Sequence, residues 1–176
     1  MTNPELYWIS GSPPAWRVML GLVLKGVPFT SRRLDHERGE NRTPAYLALN
    51  PKGQVPTLVL GETVMRESIA ILAWLDRAFP ERPLFGATPE AAAAIWQDVM
   101  VFENDLRPAA TTIAQTLFGH RSAERAEALD GAVRRFDAAL AALSERLERQ
   151  PFLNGRVPSA ADLWLFPALG WIGRAA

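Results

Sequence analysis

Three short stretches of this 176-residue chain carry residue types able to hold and polarise a small polar molecule. The first, Asn50-Pro51-Lys52-Gly53-Gln54-Val55-Pro56-Thr57-Leu58, is a Gly- and Pro-punctuated turn that runs into a strand-like segment. The second, Met65-Arg66-Glu67-Ser68-Ile69-Ala70-Ile71, sets a polar pair at the opening of an apolar helix. A helix N-terminus offers N–H groups and the positive end of the peptide dipole, a setting that suits a carboxylate. The third is Ser12, just before the helix that begins Pro13-Pro14-Ala15-Trp16-Arg17-Val18. Taken alone, Ser12 is a helix cap. A hydroxyl donor beside a helix N-terminus also favours an anion bound there.

Composition removes several other chemistries. Lys+Arg and Asp+Glu both number 19, so no basic excess points to nucleic acid. There is no Cys, which excludes disulfides, thiolate zinc sites and a cysteine nucleophile. His36 and His120 are far apart and have no metal-ligand neighbours, so no metal is expected. No apolar run is long enough to span a membrane. The N-terminus lacks the basic start and apolar run of a secretion signal, which makes a cytoplasmic location the default expectation.

The elements that must position these residues follow from pattern. Glu5 to Ile9 reads as a strand, broken by Ser10-Gly11-Ser12-Pro13-Pro14. Trp16, Val18, Met19, Leu20, Leu22 and Val23 follow helical spacing up to Gly26. A second strand reaches Leu34, residues 38–42 form a polar loop, and Pro44 to Leu49 form a short helix. Residues 57–60 and 63–65 flank Gly61-Glu62 as a hairpin, and Ser68 to Phe79 is the next helix. The order is β-α-β-α-β-β-α. Beyond a Pro-rich stretch at 80–86 the pattern is helical only. Thr88-Pro89 caps a helix running to about Phe118, bent near Pro108. Ser122 opens another helix, to Gln150, and Ser159-Ala160-Ala161-Asp162 is a capping box before Leu163-Trp164-Leu165-Phe166.

The Val55-Pro56 and Glu67-Ser68 motifs, with Ser12 upstream, resemble the glutathione S-transferase family, and the theta- and zeta-like bacterial classes that use Ser in particular. The resemblance implies an α+β fold, with a thioredoxin-like domain at 1–79, a linker at 80–86 and a shortened helical domain at 87–176. It implies that Val55-Pro56 is cis and that the Val55 backbone binds the cysteinyl part of glutathione like an added strand. Glu67 and Ser68 then hold the γ-glutamyl end, with Glu67 toward its ammonium. Asn41 and Arg42 occupy the loop that relatives place against the glycine carboxylate, and Gln54 also reaches the ligand. Ser12 becomes the hydroxyl that donates to the sulfur, with Ser10 and Tyr7 as alternatives for that role. Pro13-Pro14 departs from the zeta pattern, where Ser-Cys follows the first Ser.

The implied activity is attack by glutathione thiolate on a small hydrophobic electrophile, with glutathione as co-substrate and no metal. The second substrate would sit against the helical domain, with Phe102, Asn104, Arg107 and Thr111 as candidates. Relatives pair as homodimers, and Ile69, Ala73, Ala91, Ala94 and Ile95 supply apolar residues for such a contact. A glutathione-transferase-like binding or scaffold protein without catalysis is the alternative. The lack of Cys weighs against a thiol-disulfide reductase.

Overall fold

The computed structural model describes residues 3–118 and 123–173. The chain divides into two compact units, Met1–Pro83 and Leu84–Ala176. In the first, strands β1 (Glu5–Ile9), β2 (Thr30–Leu34), β3 (Thr57–Leu60) and β4 (Thr63–Arg66) form a sheet of order β2-β1-β3-β4. β1 runs parallel to β2 and antiparallel to β3, which pairs antiparallel with β4. Helices α1 (Pro13–Lys25), α2 (Pro44–Leu49) and α3 (Ser68–Ala78) complete the β-α-β-α-β-β-α order, with a short 3-10 turn at Glu40–Arg42.

Hydrophobic spacing accounts for the core. Ala15, Val18 and Leu22 share one face of α1, and Ile71, Leu72 and Leu75 share one face of α3. Leu6 and Leu58 are register partners across β1 and β3, and neither has solvent exposure. Full burial of each such side chain stabilises by about 1.5–3 kcal/mol relative to exposure. Gly26 ends α1 in the left-handed conformation, as its position after the last periodic residue predicts. The C-terminal ends of α1 and α3 are tied by Lys25, whose Nζ lies 2.6 Å from Asp76 and donates to Phe79 O at 2.6 Å.

The second unit is helical: α4 (Pro89–Val101), a π-helical segment (Phe102–Leu106), α5 (Arg107–Phe118), α6 (Ala123–Leu147) and α7 (Ala160–Ile172). The expected bend near Pro108 is a widened turn placed just before it, closed by Arg107 N–H donating to Phe102 O. Pro108 has no N–H to return to Asn104, so the ladder has to loosen there. Ile95 lies inside this unit, 5% exposed, and is not part of an exposed dimer face. It belongs to the stripe Ile95, Val99, Phe102 and Leu106, all buried. Ala91 and Ala94 are exposed, as are Met100 and Val101. Ser122 and His120 lie outside the described residues.

The Ser159–Asp162 capping box forms as the sequence predicts. Asp162 accepts from Ser159 N at 2.8 Å, Ser159 Oγ at 2.9 Å and Leu153 N at 2.9 Å.

Candidate functional site

The register of the sheet gathers the three motifs. Ile9 pairs with Leu34, Tyr7 with Thr57, and Thr57 with Arg66. The C-terminal ends of β1, β2 and β4 and the N-terminal end of β3 therefore share one edge. Ser12 follows β1, the 35–43 loop follows β2, Val55-Pro56 precedes β3, and Glu67-Ser68 follows β4. Residues up to 56 positions apart in sequence arrive at one end of one sheet.

Ser12 is half-buried at the N-cap of α1, with φ −89° and ψ 106°. Its Oγ accepts from Ala15 N at 3.3 Å. That bond uses an oxygen lone pair, so the hydroxyl keeps its proton for a second partner. Capping and donation are compatible in the same side chain.

The loop before β3 is built from beneath. Tyr46, 3% exposed, donates its hydroxyl to Gln54 O at 2.6 Å and sits 2.9 Å from Thr57 Oγ1. Buried Asn50 donates to the same two oxygens, at 2.8 Å and 3.1 Å. Gln54 O is thus pulled inward by two donors. In the trans Gln54–Val55 peptide the N–H lies opposite the C=O, so Val55 N–H faces away from this network. The Val55–Pro56 bond is cis. Burial pushes the Tyr46 hydroxyl above the ordinary phenol range, which keeps it protonated as a donor.

Asn41 and Arg42 brace the same loop. Asn41, 4% exposed, donates to Gly53 O at 2.7 Å, so it is no solvated loop residue. Exposed Arg42 donates to Lys52 O at 3.3 Å. Gly53 has φ 61°, and a Cβ there would lie 2.8 Å from Arg42 Nη1 and 2.9 Å from Asn41 O, so only glycine fits. Gln54 is exposed, with its backbone carbonyl engaged below.

α3 begins without a capping side chain. Its N-cap is Glu67 at φ 64° and ψ 116°, among the described residues the one non-glycine position with positive φ. An L residue is held there only by surrounding structure, and such outliers cluster at ligand sites. Ser68, half-buried, is the first helical residue. The N–H groups of this first turn and the Ser68 hydroxyl sit at the positive end of the helix. The Glu67 carboxylate meets Lys52 Nζ at 2.7 Å.

A sheet end with a clamped X-Pro loop, an uncapped helix start and a serine-capped first helix can be compared with known proteins. The profile of the glutathione S-transferase N-terminal domain matches residues 11–78, and that of the C-terminal domain matches residues 126–176. A glutathione S-transferase of the zeta class from Euphorbia esula is 30% identical over 167 residues, 94% of this chain and 74% of that one. The chain belongs to the glutathione S-transferase family. Its relatives include proteins named as glutathione S-transferases, one of them of the zeta class, and as maleylacetoacetate isomerase. Glutathione S-transferase 1 of Dianthus caryophyllus is 39% identical over 104 residues, 59% of this chain and 47% of that one. The match therefore spans about half of the second relative's length and about three quarters of the first's. The crystal structure of a glutathione S-transferase from the Antarctic clam Laternula elliptica superposes with a TM-score of 0.85 at 27% identity, covering 96% of this chain and 77% of that one.

Within this transferase fold the two alternatives to Ser12 sit differently. The Tyr7 hydroxyl donates to Glu5 Oε2 at 3.3 Å, back along β1 and away from the edge that holds Ser12. Its ring lies against Tyr46 at 5.7 Å, and burial raises its pKa. Ser10 is exposed in the turn after β1. In the helical unit, Phe102 is buried, while Asn104 is exposed and Thr111 half-buried. Arg107 pairs with Glu103 at 2.7 Å, and Glu103 also accepts from Trp164 Nε1 at 2.7 Å.

Sequence reasoning missed Tyr46, Asn50 and Thr57, which shape the loop, and Lys52, which meets Glu67. The one available signal was Asn50 ahead of Pro51, a turn residue whose side chain can bond its own backbone. Indeed Asn50 Oδ1 accepts from Lys52 N at 3.2 Å. Among the described residues no helix is long and apolar enough to cross a membrane.

Proposed function

We propose that this chain binds glutathione across the sheet end and transfers it, as thiolate, to a small hydrophobic electrophile. The observation that carries the reading is the doubly held Gln54 carbonyl, which leaves the Val55 N–H facing outward beside an uncapped helix start. The Val55 backbone receives the cysteinyl segment as an added strand. Ser68 and the first turn of α3 take the γ-glutamyl carboxylate, and Glu67 takes its ammonium. Arg42 and Gln54 supply charge and a hydrogen bond to the remaining end, while Asn41 braces the loop between them.

A free thiol titrates near pH ~8.5, so it is mostly protonated at neutral pH. The Ser12 hydroxyl donates to the sulfur and favours the anion. The thiolate forms a sulfur–carbon bond, and either a leaving group departs or an activated double bond takes up a proton. No side chain of the protein forms a covalent intermediate. The working form is a cytoplasmic homodimer, with Ala91, Ala94, Met100 and Val101 available on α4; light scattering at micromolar concentration should give twice the mass of one chain.

The direct experiment is a calorimetric titration with glutathione, followed by an electrophile panel. Absence of binding at millimolar glutathione overturns the reading. Binding with no turnover on any electrophile leaves a glutathione-binding protein without catalysis.

A further inference from the structure

Lys52 projects from the 50–56 loop and sets its ammonium 2.7 Å from Glu67 Oε1. Its backbone is held on both sides, by Lys52 N–H on Asn50 Oδ1 at 3.2 Å and by Arg42 Nη1 on Lys52 O at 3.3 Å. The side chain therefore crosses from an anchored loop to the residue that opens α3. Both partners are largely exposed, 67% for Lys52 and 59% for Glu67, so the pair does little for the fold.

Its place suggests a different role. Under the reading above, Glu67 is the group that receives the primary ammonium of glutathione. Lys52 brings a primary ammonium to that same carboxylate from within the chain. A carboxylate has lone pairs for more than one donor, but two cations beside it repel each other, so each weakens the other's gain.

We propose that Lys52 is a specificity-determining residue: it stands in for the ammonium of the ligand on Glu67, and glutathione has to displace it. The inference rests on the glutathione reading of the site. Its consequence is relaxed selectivity. A glutathione derivative whose amino group is acylated cannot pair with Glu67. In the unaltered protein it leaves that carboxylate with Lys52 and loses little. Without Lys52 the same ligand leaves Glu67 without a cation, while glutathione gains the whole carboxylate.

The test is calorimetry on the unaltered protein, Lys52→Met and Lys52→Arg, each with glutathione and with N-acetylglutathione. Lys52→Met should bind glutathione about two- to fivefold more tightly, the span an exposed ion pair commands. It should bind the acetylated ligand no better than before, so the ratio of the two affinities widens. Lys52→Arg should match the unaltered protein. If glutathione binds the unaltered protein and Lys52→Met binds it equally or more weakly, Lys52 is neutral or contacts the ligand directly, and this inference alone is overturned. Uptake of glutathione by neither protein overturns the reading of the site and this inference together.

Discussion

The chain uses an acidic residue and a serine at the start of two helices, and the two starts do opposite things. At α7 the order is Ser159-x-x-Asp162, and the acid reaches back to Ser159 N, Ser159 Oγ and Leu153 N. A neighbouring cluster closes in the same way. Arg146 grips Asp98 through two bonds of 2.7 Å and donates to Leu153 O at 2.6 Å, and Asn154 adds a bond to Asp98 at 3.0 Å. At α3 the order is Glu67-Ser68. The acid precedes the serine, its backbone is left-handed, and no side chain caps the helix. Ser68 is half-buried, and the acid meets a surface lysine. The same two residue types make a closed joint in one order and, in the other, a helix start that no side chain caps.

Four substitutions should pull these roles apart. Asp162→Ala should have the largest effect, lowering stability by about 3 kcal/mol, because it strands donors that bond a charged acceptor. Urea unfolding measures this, and glutathione affinity of the folded fraction should not change. Glu67→Ala should reverse that pattern. Calorimetry should show glutathione affinity weaker by about 1.5–3 kcal/mol, with unfolding nearly unaltered. A stability loss as large as that of Asp162→Ala would erase the contrast. Ser12→Ala should lower turnover about ten- to a hundredfold and affinity much less, because its contact matters most to the thiolate. Thiolate absorbance against pH checks it: an unchanged titration would move the role to Ser10 or Tyr7.

The smallest effect belongs to Tyr46→Phe, which should weaken glutathione binding by about 1 kcal/mol through loss of one donor on Gln54 O. Its readout is a raised KM for glutathione with kcat preserved. The same hydroxyl has a pH signature. Its folded-state pKa is raised by burial, so the protonated form is the one folding favours. That stability is fully present below the ordinary tyrosine pKa of about 10. It is lost as pH climbs through the raised value. Tyr46→Phe should flatten this alkaline decline in stability and affinity.

Much of this was legible in the sequence because periodicity and punctuation agreed. The period-2 run at 57–60 and 63–65, split by Gly61-Glu62, gave the hairpin, and Thr88-Pro89 gave the start of α4. The candidate ligand residues could be placed at one sheet end only through the resemblance, since register between β1, β3 and β4 is a tertiary fact. What stayed hidden acts through backbone or across space. Tyr46 looks like an ordinary apolar residue of a six-residue helix, yet its work is on a carbonyl eight positions away. Asn41 lies in a polar loop and reads as solvated, but the 53–56 turn folds over it. Nothing local forces Glu67 to positive φ, which it adopts between the end of β4 and the start of α3. Lys52 and Glu67 are 15 positions apart, too far for any local pattern to pair them.

The widened turn at Phe102–Leu106 has a consequence for how the helical unit keeps phase. Ile95, Val99, Phe102, Leu106, Ala109 and Ile113 follow alternating steps of four and three, a spacing that on an unbroken rod would mark a single stripe. Each residue added to a turn rotates everything after it by about 100°. The rod thus swivels by roughly a quarter turn as it passes Glu103, and one stripe comes to serve two neighbours: α4 packs on α7, and α5 packs on α6 as well as α7. Deleting one residue between 102 and 106 would straighten the helix while swinging Ala109, Ala110, Ile113 and Ala114 off their partners. The widened turn works as a gear between two halves of one helix.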